Sequence, residues 1–185
     1  GEVIVNWEDN NGVFTRKLFV SRPDNLVVLK FSSDEGASIN TTLSLSKIIR
    51  HDVGRIKKFN LDDNFCIKKV ESGTMDNGLY FKAWYERPWE FESRKSFKGY
   101  EGVVQVLRSD GKIEMDSDRL ILRDATDVLI VARIEPSDNM EESRVLEMSN
   151  ALKSYDGTYD ELLAVHKKIH KELFERVSID LDASE

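Results

Sequence analysis

Through most of residues 1–134 the hydrophobic positions alternate with polar ones, the period of a half-buried strand. Val3, Val5 and Trp7 alternate with Ile4, Asn6 and Glu8. Asn10-Asn-Gly12 follows, where glycine supplies the positive φ of a tight hairpin, and Phe14 to Val20 returns. Ser21-Arg-Pro-Asp-Asn25 is dense in turn formers, with Pro23 fixing φ at a turn start. Leu26 to Phe31 departs from alternation. It is apolar except at Lys30, the mark of a strand covered on both faces. Thr41 to Ser46 alternates again, with Leu43 and Leu45 on one side, and residues 47–60 are basic and irregular, as a loop would be. Asn77-Gly78 reads as a hairpin joining Phe65–Val70 to Leu79–Tyr85, and Asp110-Gly111 joins Gly102–Arg108 to Lys112–Met115. Asp118–Leu122 and Val128–Ile134 bring the total to about eight to ten strands, with turn signals at the spacing of a sandwich.

The period changes after Pro136. Met140 to Tyr155 carries Val145, Met148, Leu152 and Tyr155 at helical spacing, and Asp156-Gly157 ends it. Thr158 then opens a capping box with Glu161, each side chain positioned to bond the other residue's amide. The helix that follows, 158–176, places Leu162, Val165, Ile169 and Leu173 on one face and Lys167, Lys168, Lys171 and Glu172 on a solvated one. Val177 to Leu181 alternates as a strand. The expected organisation is a β-sandwich over 1–135, a helical linker over 136–176 and a returning strand over 177–185. No internal repeat or low-complexity segment interrupts it.

Composition adds limits. A chain of 185 residues holds one domain with a real core. The net charge of −7 argues against a nucleic-acid partner, which wants a basic face. No run of about 20 apolar residues spans a membrane. Cys66 is the only cysteine, so no intrachain disulfide forms, and its strand-like setting reads as a small buried residue. No nucleotide or phosphate loop is visible, and no cofactor is implied.

Candidate chemistry is sparse. Acids such as Asp62, Asp63, Glu86, Glu90, Glu92, Asp116, Asp118, Asp124 and Asp127 are plentiful. With 34 acids in the chain, some pair falls at any separation, including the ~6.5–9.5 Å of an inverting glycosidase. Most sit beside turns, where aspartate satisfies local amides, so no catalytic residue is assigned. His166 and His170 stand four apart on a helix, a spacing that can bind zinc. No glutamate follows the first and no third ligand is evident. They read as the border of an amphipathic helix, and no metal site is assigned. His51 reads as part of a solvated basic loop. Trp84-Tyr-Glu-Arg-Pro-Trp-Glu-Phe91 is the best candidate for contact with a sugar or another domain. Aromatic faces stack on the CH faces of a pyranose, and charged neighbours bond its hydroxyls, so Trp84, Tyr85, Glu86, Arg87 and Trp89 are singled out. The competing reading is a strand whose rings fill the sandwich.

Two longer phrases carry a family resemblance: Phe14–Lys30, and Thr158–Leu181. Shorter ones lie at Leu43–Leu45, Asn77–Ala83 and Asp124–Ala132. Together they resemble the N-terminal β-sandwich domain of bacterial glycoside hydrolases of family 95, the α-L-fucosidase family. The resemblance implies an antiparallel β-super-sandwich with a C-terminal pair of linker helices, preceding an (α/α)₆ barrel that cleaves terminal L-fucose or L-galactose with inversion. It begins partway into that domain and stops where the barrel would start. The implied role is therefore non-catalytic, supporting the barrel of an enzyme that acts on an oligosaccharide outside the bacterial cytoplasm, in the periplasm or beyond. Strand edges left open by such a boundary imply self-association. Two alternatives stand beside it: a stand-alone carbohydrate-binding sandwich, and the N-terminal domain of a family 65-like disaccharide phosphorylase.

Overall fold

The computed structural model describes residues 1–45, 67–85 and 97–176. Among these residues ten strands form two sheets, antiparallel throughout. In chain order they are β1 (Glu2–Asp9), β2 (Gly12–Ser21), β3 (Leu26–Ser33), β4 (Ile39–Ser44), β5 (Ile67–Met75), β6 (Gly78–Tyr85), β7 (Gly99–Ser109), β8 (Lys112–Asp116), β9 (Arg119–Ala125) and β10 (Asp127–Ser137). Two helices follow, α1 (Val145–Lys153) and α2 (Tyr159–Phe174). The large sheet runs β1-β2-β3-β10-β7-β6-β5 and the small one β4-β9-β8.

The small sheet covers one face of the large sheet and the helices cover the other. On β10, Val128 and Ile130 pack toward Leu120, Leu122 and Ile39 of the small sheet. Their neighbours Leu129 and Val131 pack with Val145, Met148, Leu152 and Leu162 of the helices. Successive side chains point to opposite faces, so a strand between two apolar layers has no polar side. That is why Leu26–Phe31 reads as a nearly continuous apolar run.

The connections differ from expectation in two places. The β5–β6 hairpin turns on Asp76-Asn77, both at positive φ (40° and 60°), one residue earlier than Asn77-Gly78. Gly78 instead begins β6, where a Cβ would lie 2.7 Å from the Val104 carbonyl oxygen. Asp110-Gly111 carries the chain from one sheet to the other: β7 pairs with β6 and β10, while β8 pairs only with β9. A Cβ on Gly111 would lie 2.3 Å from the Arg123 carbonyl oxygen, so this crossover needs glycine for close approach of backbones. Asp110 locks the corner beside it, accepting from the Thr126 and Asp127 amides at 2.7 and 3.0 Å and from the Thr126 hydroxyl. Those donors, the Thr126 hydroxyl first, hold its carboxyl below the usual range.

The helices also depart in detail. α1 starts at Val145, not Met140, because Glu101 fixes the chain ahead of it. This carboxylate on β7 is 1% exposed and accepts from the Ser143 hydroxyl at 2.7 Å and the Arg144 amide at 2.9 Å. α2 has the expected capping box: Thr158 accepts from the Glu161 amide, and Glu161 accepts from the Thr158 amide at 2.7 Å. Its buried face is Tyr159, Leu162, Leu163 and His166, rotated from the expected one, and Val165 is 50% exposed. The expected strand at 177–181, the loop at 47–60, His51 and Cys66 lie outside the described residues.

Candidate functional site

The seven-stranded sheet is wider than the three-stranded one, and the excess falls at β1 and β2. Register places Trp7 opposite Phe14 on the face that the small sheet covers further in. Phe14 is buried, whereas Trp7 remains 39% exposed. The two rings stack at 5.4 Å with planes 18° apart. Trp7 is thus held by a cross-strand partner while part of its surface stays open.

A second wall stands opposite. The segment after β3 is pinned by Ser33 N to Thr126 O at 2.9 Å, Asp34 N to Val13 O at 3.0 Å and the Ser33 hydroxyl to Ala37 O at 2.9 Å. Ala37 seats directly on Gly12, where a Cβ would approach its own Cβ to 2.4 Å. Gly12, at φ 133°, is needed here both for conformation and for space. β4 then begins with a register shift between Ile39 and Thr41, leaving Asn40 at a bulge. The Asn40 side-chain oxygen accepts from the Asp124 amide at 3.2 Å, and Asp124 itself is at φ 53°.

Between these walls lies an open cleft of about 580 Å³. Phe14, Phe31 and Ile39 form its apolar floor, and Trp7, Asp9, Asn11, Ser38, Asn40 and Asp124 stand around it. Asp9 uses one carboxylate oxygen to accept from the Asn11 amide at 2.7 Å. Among the described residues no lysine, arginine or histidine lines the cleft. Chemically it offers an aromatic surface beside amide, hydroxyl and carboxylate groups.

Of the residues singled out from the sequence, Trp84 and Tyr85 lie on β6, next to the edge strand β5 of the large sheet. Trp84 and Tyr85 are both half-buried. Being adjacent in β6, they point to opposite faces and do not form one platform. The Lys69 ammonium lies 4.7 Å above the Trp84 ring, a cation–π contact. Tyr85 approaches Tyr100 at 5.9 Å. Glu86, Arg87 and Trp89 fall outside the described residues. Trp7 alternates along β1 like any core residue, so its exposure is not marked by the pattern. The available signal was its place beside a two-residue hairpin at the edge of the domain.

His166 is not at a helix border. It is 4% exposed, with its ring 5.4 Å from Phe19 and stacked 5.4 Å from His170. Its Nε2 lies 3.5 Å from the Gly1 ammonium, and its Nδ1 is buried without a partner among the described residues. Burial, then the Gly1 ammonium, then His170 push its pKa below the ordinary value of 6.5. Among the described residues no group of three His, Cys, Asp or Glu is placed to hold a metal ion.

Residues 1–141 match the family model described as glycosyl hydrolase family 65, N-terminal domain. The chain belongs to that family. The match corrects the family 95 resemblance and supports the alternative weighed beside it. Among solved structures, this family 65 domain is similar to one titled putative kojibiose phosphorylase from human microbiome, with a TM-score of 0.53 and 12% identity. The likeness is one of fold. It covers 94% of this chain and 23% of the other, so the family 65 domain spans about a quarter of that protein's length. No curated protein matches the chain.

Proposed function

We propose that this chain is the N-terminal β-sandwich domain of a family 65-type disaccharide phosphorylase, supporting a catalytic domain in the same protein. The observation that carries this reading is the family match over residues 1–141. The fold similarity to a kojibiose phosphorylase points the same way. In this reading residues 1–135 are the sandwich, and the helical segment 136–176 carries the chain onward. The partner is the protein's own catalytic domain, and the oligosaccharide substrate belongs to the whole enzyme. No residue of the sandwich is assigned a catalytic role.

The test uses the protein as its gene encodes it. Incubated with kojibiose and inorganic phosphate, it should break the glycosidic bond by transfer of the glycosyl group to phosphate, giving a sugar phosphate and free glucose. Turnover should vanish when phosphate is omitted. The 185-residue chain alone should show none. Phosphate-independent hydrolysis of an aryl L-fucoside by the whole protein, with no phosphorolysis, would overturn the proposal.

A further inference from the structure

We propose that the cleft between the β1–β2 hairpin and the bulged start of β4 binds a neutral, hydroxyl-rich saccharide, with Trp7 as its stacking platform. The inference concerns a binding activity of this chain and does not depend on which reaction the whole protein performs.

Size fits first. A cleft of about 580 Å³ lies within the range of small-molecule sites, roughly 300–1,000 Å³. Rigidity comes next. Trp7 is fixed by register against Phe14 and by a ring stack, so an exposed aromatic surface is held in place before any ligand arrives. Little side-chain entropy then opposes binding. The opposite wall is also braced: the Asn40 oxygen is anchored by the Asp124 amide, and the loop before β4 is pinned to Gly12 and Val13.

The lining selects the ligand class. The rim of Asp9, Asn11, Asn40 and Asp124 combines amides, which donate and accept, with carboxylates, which accept from hydroxyl pairs. The Asn11 amide and the Asp124 carboxylate form no side-chain hydrogen bond or ion pair among the described residues and remain available. Among the described residues an anionic ligand finds two carboxylates and no cation. A purely apolar ligand would leave this rim unpaired against it. Among the described residues a cation finds no group of three ligands. A pyranose presents an apolar CH face for Trp7 and hydroxyls for the rim, which answers both halves of the site.

The test is a titration of the isotope-labelled 185-residue chain, followed by amide and indole resonances. The probes are kojibiose, maltotriose and 2′-fucosyllactose, with glucose 6-phosphate as the anionic control, each up to about 10 mM. The expected result is saturable shifts at the Trp7 indole and the Asn11 and Asn40 side-chain amides with at least one neutral sugar. Glucose 6-phosphate should bind more weakly than that sugar. Trp7→Ala should weaken affinity about tenfold, while Trp84→Ala leaves it unchanged. Circular dichroism checks the fold of each variant, and Asn11→Ala, which removes no intrachain side-chain bond, carries the test if Trp7→Ala is misfolded. No saturable shift with any of the three neutral sugars overturns the proposal. So does equal binding of the sugar phosphate, or a response that follows Trp84 instead of Trp7.

Discussion

The two faces of the large sheet are finished in different ways. The helix-covered face is packed by α1 and α2 and tied by long-range polar bonds. Tyr155 donates to Asp24 at 2.9 Å, Tyr159 to Glu2 at 3.0 Å, and Lys153 reaches Asp76 at 2.7 Å. Glu101 receives the start of α1, and Arg144 joins Glu135 at 2.5 Å. Burial first and the Asp24 bond second push the Tyr155 phenol up to about 12, so the bond persists across neutral pH. On the other face, three strands cover seven and the flank at β1–β2 is left open. There the polar groups face a cleft. The helix layer is therefore bound to the fold by named polar bonds, and the flank at β1–β2 has room for a ligand.

The sharpest test of that division lies in the helix layer. Leu152 is 2% exposed, in the core shared by α1 and the sheet. Leu152→Ala should cost about 2–5 kcal/mol through lost burial and the cavity left behind. Denaturant unfolding measures it, and Leu120→Ala in the small sheet should fall in the same range. A cost well under 1 kcal/mol at Leu152, with α1 amides unprotected from exchange, would mean that the helices are not part of the folded unit.

Next in size is the polar tie. Glu101→Ala removes the acceptor for the Ser143 hydroxyl and the Arg144 amide in a buried site. The expected loss is about 1.5–3 kcal/mol, as for hydrogen bonds to a charged group, and Glu101→Gln should recover part of it. If Glu101→Ala is neutral, the start of α1 is held by packing alone.

Much of this architecture was legible in the sequence, and the reasons are local. Two-residue turns, the capping box at Thr158 and the both-faces-covered run at Leu26–Phe31 depend on neighbours in the chain. The partition into sheets does not. Asp110-Gly111 resembles a hairpin turn, yet backbone crowding against Arg123 and Ala125 makes it a crossover. The α2 face was misplaced by one position because His166 scores as polar while Phe19 and His170 cover it. The cleft was hidden for a deeper reason. Whether Trp7 is core or surface depends on the small sheet being narrower than its partner, which no local pattern records.

His166 offers a pH test of the helix-covered face. Its folded pKa lies below the ordinary 6.5, so below that value the unfolded chain binds a proton that the folded chain resists. Stability should be flat above neutrality and fall as pH drops through 6.5, levelling once the folded imidazole also titrates. His166→Gln should flatten this part of the profile measured by urea midpoints. An unchanged slope in the variant would place the acid sensitivity in other groups.

The smallest expected effect sharpens the comparison most, because it asks whether the open face is needed for folding. Asp124 sits at φ 53°, a conformation that asparagine also tolerates. Its contribution to structure comes from its amide, which donates to Asn40, and not from its carboxylate. Asp124→Asn keeps that bond and the backbone conformation while removing a charge from the cleft. Stability should therefore stay within about 0.5 kcal/mol of the parent chain, the range of ordinary surface substitutions. Saccharide affinity should fall, since a carboxylate accepts more strongly from hydroxyls than a carboxamide does. Denaturation and titration on the same sample separate the two readouts. A variant that loses stability instead of affinity would make the β1–β2 flank a structural surface like the helix face.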